Sequence, residues 1–163
     1  MTRVLIAYAS KYGSVEEVAK YVGAALRDRG ASCAVTPARE AEEVVGYDLV
    51  VLGTGLYMGR MHRDGRQFLK RHHEALEHVP FAVFAMGPLS SEPAEKEKVE
   101  PHLRRTLDRY PELEPDQEAI FGGVIDPDKL SFPFNHMPAG DHRDWDEIRD
   151  FALQLPLGVP VPA

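Results

Sequence analysis

Two serine hydroxyls, a cation and a glycine fall within five residues at Ser10-Lys11-Tyr12-Gly13-Ser14. The stretch follows a short apolar run and precedes a helical pattern, a placement that suits an anion. Ser10 and Ser14 offer hydroxyls, Gly13 lets the backbone come close, Lys11 adds charge, and the helix start supplies free N–H groups and a favourable dipole. An ordinary strand–turn–helix junction with a capped helix accounts for the same residues. A second candidate, Gly53-Thr54-Gly55-Leu56-Tyr57-Met58-Gly59, resembles a dinucleotide fingerprint, but Met58 stands where the third glycine is needed and the segment does not follow the first strand. No Gly-Lys-Ser/Thr phosphate loop and no G-x-S-x-G elbow occurs. A phosphoacceptor site is excluded as well, because the first and third strands end in Ala9-Ser10 and Gly53-Thr54 rather than in acids.

Metal chemistry finds little support. His72, His73 and His78 lack the i, i+4 spacing of a helical metal pair, and His136, Asp141 and His142 share no ligand pattern. The single cysteine, Cys33, rules out an internal disulfide and a multi-cysteine metal site. The run Arg60, His62, Arg63, Arg66 is locally basic. It is either a solvated helix face or a patch for an anionic substrate or partner.

The elements that must position these residues alternate. Arg3 to Tyr8 reads as a strand buried on both faces, and Ser14 with Glu17 predicts a capping box opening a helix that Gly30 stops. Val15, Val18, Ala19, Val22 and Leu26 form that helix's apolar stripe. Strands follow at Ser32 to Thr36, Asp48 to Gly53, Pro80 to Met86 and Glu118 to Val124, with helices at Asp64 to Leu76, Ser91 to Tyr110, and from Trp145 to Leu155. Thr54 to Met61 and Asp126 to His142 read as loops. Strand–helix alternation implies an α/β fold with parallel pairing through right-handed crossovers. Ligands in such sheets sit beyond the carboxyl ends of the strands.

The chain has 163 residues, 44% hydrophobic and 28% charged, enough for one domain over 1–155 with a Pro-rich tail over 156–163. Its net charge of −7 disfavours a general nucleic-acid binder. No apolar run approaches the roughly 20 residues of a membrane span, and none resembles a signal peptide. A cytoplasmic location without stable membrane insertion is expected.

The run from Ile6 through Ser10-Lys11-Tyr12-Gly13-Ser14-Val15 to Ala19 resembles the phosphate loop of flavodoxins, and Tyr57-Met58-Gly59, with Leu56 before it, resembles their second loop. Phe121-Gly122-Gly123 and Asp144-Trp145-Asp146-Glu147-Ile148 are similar to the flavodoxin-domain branch that contains menaquinone-dependent protoporphyrinogen dehydrogenase. The resemblance spans essentially the whole chain. It implies a flavodoxin-like three-layer sandwich with five parallel strands in the order 2-1-3-4-5, non-covalent FMN, and electron transfer or a flavin-dependent oxidoreductase reaction with an unidentified redox partner or substrate. Loop one would hold the phosphate, Tyr57 would stack on the ring, and Gly59 would let the peptide after Met58 turn. Gly87, Pro88 and Leu89 would edge the ring with backbone groups. The resemblance assigns no catalytic residue.

Three departures from the pattern matter. Val15 stands where flavodoxins usually carry Thr, so a phosphate-facing hydroxyl is expected to be missing, at roughly 1.5–3 kcal/mol. The stretch Lys129 to Met137 is short beside the insertion of the membrane-associated dehydrogenases, which points to a soluble relative. Arg60 replaces an acidic residue common in electron-transfer flavodoxins. A flavin-free interaction or scaffold protein is the alternative, argued from Val15; an anion-binding module using loop one alone is another.

Overall fold

The computed structural model describes residues 2–87, 93–125, 128 and 139–157. Five strands form a parallel sheet: β1 (Arg3–Ala9), β2 (Ser32–Pro37), β3 (Leu49–Tyr57), β5 (Phe81–Met86) and β6 (Gln117–Phe121), in the order β2-β1-β3-β5-β6. A two-residue strand, β4 (Arg60–Met61), pairs antiparallel with the end of β3, so the main order is the expected 2-1-3-4-5 with one hairpin added. The helices are α1 (Ser14–Asp28), α2 (Arg63–Leu76), α3 (Pro93–Leu107) and α4 (Trp145–Gln154). A small ribbon pairs β7 (Val124–Ile125) with β8 (Gly140–Asp141), well apart in sequence.

Side-chain alternation along the strands sorts the core into two layers. Val4, Ile6, Val51 and Phe84 face α1 and α4, where Val18, Val22, Leu26, Ile148 and Phe151 meet them. Leu5, Ala7, Val50, Leu52 and Val83 face the other way, onto Phe68, Leu69, Leu103 and Leu107 of α2 and α3. Both faces are covered, which is why the strands read as continuous apolar runs. None of the described helices is long and apolar enough to cross a membrane.

Several sequence expectations need correction. The segment Thr54 to Met61 is not a loop: β3 continues to Tyr57 and turns back at Met58-Gly59, where φ is 51° and 77°. Two left-handed residues make the tight turn whose twist suits a two-residue hairpin. The fifth strand ends at Phe121, and Val124 belongs to the separate ribbon. Within Asp126 to His142, Gly140 and Asp141 form a strand. The Ser14–Glu17 capping box does not form: Gly13, at φ 89°, is the cap and makes no side-chain bond, while the Glu17 carboxylate pairs with Arg143 at 3.1 Å. Gly30 does stop α1: its N–H donates to Arg27 O at 2.9 Å and that of Ala31 to Leu26 O at 3.1 Å, with φ 93° at the glycine. Ordered packing runs past Leu155, since Leu157 is buried and its carbonyl accepts from Thr2 Oγ1 at 3.0 Å. Pro88, Leu89, Lys129 to Met137 and residues 158–163 lie outside the described residues.

Candidate functional site at the carboxyl edge of the sheet

β1 and β3 run side by side, pairing Ala9 with Thr54, so the turn after β1 and the β3–β4 hairpin emerge at the same edge of the sheet. In the first turn the Gly13 N–H donates to Ser10 Oγ at 2.9 Å, curling the loop. Among the described residues no acceptor serves the N–H groups of Ser14, Val15 and Glu16, while that of Glu17 donates to Gly13 O at 3.2 Å. Space beside Gly13 is open, with nothing within 4 Å of where a Cβ would stand. Free amides, an open approach and a helix dipole are the features by which a helix N-terminus can receive an anion. Lys11 is exposed, with its ammonium 5.2 Å from the Tyr12 ring centroid.

Val15 corrects the expectation of a phosphate-facing side chain. It is 1% exposed and packs in the core of the α1 face, so only its backbone N–H belongs to the loop. Periodicity carries the reason: Val15 begins the apolar stripe that continues through Val18, Ala19 and Val22.

Tyr57 ties the two segments together, its Oη accepting from the Lys11 N–H at 3.2 Å. Its ring lies back over Gly55, where a Cβ would come within 2.5 Å of ring atoms. Tyr12 meets it edge-on at 6.1 Å between centroids, and His62 does so at 5.7 Å. Burial pushes the Tyr57 phenol pKa up, opposed by the bond from Lys11. His62 caps α2, Nδ1 accepting from the Asp64 N–H at 3.0 Å. Burial lowers its pKa, the Asp64 carboxylate opposes this, and Arg66, Lys11 and Arg39 lower it further. Both the burial and the N–H accepted at Nδ1 favour the neutral imidazole with its proton on Nε2. Met58, at the hairpin tip, is 79% exposed. Leu56 is buried beneath the hairpin, and a Cβ at Gly87 would lie 2.8 Å from Leu56 Cβ, which brings the start of the third loop to the same corner.

Most of the expected site residues thus converge. Three that sequence reasoning overlooked join them. Gly55 shares a strand face with Tyr57 by the i, i+2 rule, so period two held the clue. His102 of α3 packs against Gly59, its Nε2 3.6 Å from where a Cβ would stand, and nothing local in the sequence announces it. Arg143 backs loop one, reaching Ser14 O at 3.5 Å while bound to Glu17 and Asp141. Among the described residues no cluster of three or more His, Cys, Asp or Glu side chains is placed to hold a metal.

Comparison with known proteins agrees with this fold. Over 170 aligned residues the chain is 21% identical to protoporphyrinogen IX dehydrogenase [quinone] of Escherichia coli strain K12, covering 94% of each. It is 30% identical over 91 residues to an NAD(P)H dehydrogenase (quinone) of Afipia carboxidovorans, which spans 42% of this chain and 46% of that protein. Among solved structures, the flavodoxin of Streptococcus pneumonia TIGR4 superposes with a TM-score of 0.61 at 19% identity, over 97% of this chain and 100% of that one. The flavodoxin domain family matches residues 5–137, and the chain belongs to that family.

Proposed function

We propose that this protein binds FMN non-covalently at the carboxyl edge of β1 and β3 and acts as a cytoplasmic electron-transfer protein or quinone-linked oxidoreductase. The observation that carries the reading is the Lys11–Tyr57 bond, which joins an open, amide-rich anion loop to an aromatic hairpin. Ser10, Lys11, Tyr12, Gly13, Ser14 and the Val15 amide would hold the phosphate. Leu56, Tyr57, Met58, Gly59 and Gly87 would border the ring, with Pro88 and Leu89 following in sequence. Bound FMN would supply the redox chemistry, while the protein supplies orientation and electrostatics. The quinone-linked relatives support the choice of reaction class. Val15 no longer argues for a flavin-free scaffold, because its side chain belongs to the core. FMN is proposed over FAD because loop one would close on a terminal phosphate and the sequence carries no second nucleotide-binding motif. Mass spectrometry of ligand released by heat, after incubation with excess FMN, is expected to show FMN. Release of FAD, or of no flavin, would overturn the proposal.

A further inference from the structure

One corner of this acidic molecule gathers guanidinium groups. Arg60 stands in β4, Arg63 and Arg66 in the first turn of α2, and Arg109 just beyond α3, which packs on β4. Arg60, Arg63 and Arg109 are exposed, while Arg66 is half-buried with its Nε donating to Met61 O at 3.1 Å. Among the described residues none of the four forms an ion pair. Some cations elsewhere do find acids: Arg143 takes Glu17 and Asp141, Arg104 takes Glu118, and Lys96 takes Glu147.

The arrangement works against the isolated protein in two ways. A helix N-terminus prefers acids, yet α2 sets two arginines, Arg63 and Arg66, against the single acid Asp64 in its first turn. The Arg66 guanidinium pKa is lowered, first by burial and then by repulsion from Arg60, Arg109 and Arg63. An external anion would relieve both.

The shape of the corner selects the kind of anion. Small-molecule sites are concave, whereas these arginines stand on a hairpin edge, a helix start and a helix-end turn. Beside them Met58 projects from the hairpin tip, 79% exposed and at a positive φ of 51°. An exposed methionine beside arginines has the composition of a protein interface, where both types are enriched. A single apolar side chain offers little to a lipid surface, whose binding scales with buried apolar area.

We propose that Met58, Arg60, Arg63, Arg66 and Arg109 form the docking surface for an acidic redox protein. This rests on the redox reading above, because the surface adjoins the proposed flavin hairpin.

The test measures equilibrium binding of the purified full chain by calorimetry. An acidic plant-type [2Fe–2S] ferredoxin is the probe and basic cytochrome c the control of opposite charge. Wild-type protein is expected to bind ferredoxin in preference to cytochrome c, weakening about tenfold or more between low and moderate salt. The double variant Arg63→Glu/Arg109→Glu, altered at exposed and unpaired positions, should lose at least about tenfold in ferredoxin affinity with its melting temperature unchanged. Preference for cytochrome c, an unaltered variant affinity, displacement of ferredoxin by low tripolyphosphate, or tighter binding to phosphatidylglycerol vesicles would each overturn the proposal. Docking with no flavin recoverable would sink the redox reading and leave only a surface for an acidic protein; flavin bound without docking would sink this one alone.

Discussion

Tyr57 lies flat over β3 because position 55 has no side chain, and that absence holds the ring where its hydroxyl reaches Lys11. Gly55→Ala forces the half-buried ring outward and breaks that bond. One neutral hydrogen bond near the surface is worth roughly 0.5–1.5 kcal/mol, so stability should fall by no more than that. FMN affinity should fall about tenfold, as titration of the variant with FMN would show; unchanged affinity would detach Tyr57 from the site. Gly53 poses the opposite case. A Cβ there would stand 2.2 Å from the fully buried Phe84 ring, which has nowhere to go, so Gly53→Ala should cost about 3 kcal/mol in urea unfolding. Val15→Thr separates a core role from a ligand role. A hydroxyl placed in the buried layer between the sheet and α1 should cost roughly 1–3 kcal/mol of stability. The ratio of FMN to riboflavin affinity should stay fixed, because the side chain is buried in the core. A ratio that rises with FMN tightening would restore Val15 to the phosphate.

The five parallel strands and four helices were legible because each carries its pattern locally. Strands buried on both faces give unbroken apolar runs, and helices with one buried face give stripes such as Val15 to Leu26. The end of β3 was not: glycine ordinarily weakens a strand, so Gly53 closed the expected strand and Gly55 read as loop. Their reason lies in Phe84 from the neighbouring strand and in Tyr57 two residues on. The β7–β8 ribbon joins Val124 to Asp141, a pairing that local periodicity cannot encode. At the site, loop one and Tyr57-Met58-Gly59 were readable as motifs, though not as a hairpin, whereas His102 arrives through the packing of α3 and leaves no local mark. Helix capping shows how one pattern serves two ends differently. Ser14–Glu17 forms no cap, yet Asp144 accepts from the N–H groups of Asp146 and Glu147 at 3.1 and 3.2 Å and opens α4. Asp144→Ala should cost about 1 kcal/mol. Because α4 packs Phe151 against Phe84 and Phe121, the loss should appear in global denaturant unfolding rather than as local fraying.

Across the whole molecule, acid should erode stability in two steps. His72 is 8% exposed, with Nε2 3.0 Å from Ala41 O and its ring against Phe68. Burial lowers its pKa, the Ala41 bond opposes this, and Arg71 lowers it further; His62 is lowered as well, chiefly by burial. In the unfolded chain both imidazoles return to the ordinary value of about 6.5. As pH falls through that value the unfolded state takes up protons first, so it binds more protons than the folded state and stability declines. The second step belongs to Asp141, whose hydrogen bonds from Arg143 hold its carboxyl below the usual carboxylate range. Its contribution is present above the ordinary carboxylate value of about 4 and is lost as pH drops through the lowered one. Melting temperature measured from pH 7.5 down to 3 should therefore fall first below about 6.5 and again below about 4. His72→Gln keeps a donor for the Ala41 carbonyl but cannot titrate, so it should shrink the upper step and leave the lower one. Asp141→Asn should do the reverse. A melting temperature flat between pH 7.5 and 5, or an upper step unchanged in His72→Gln, would show that the buried imidazoles do not link folding to protons.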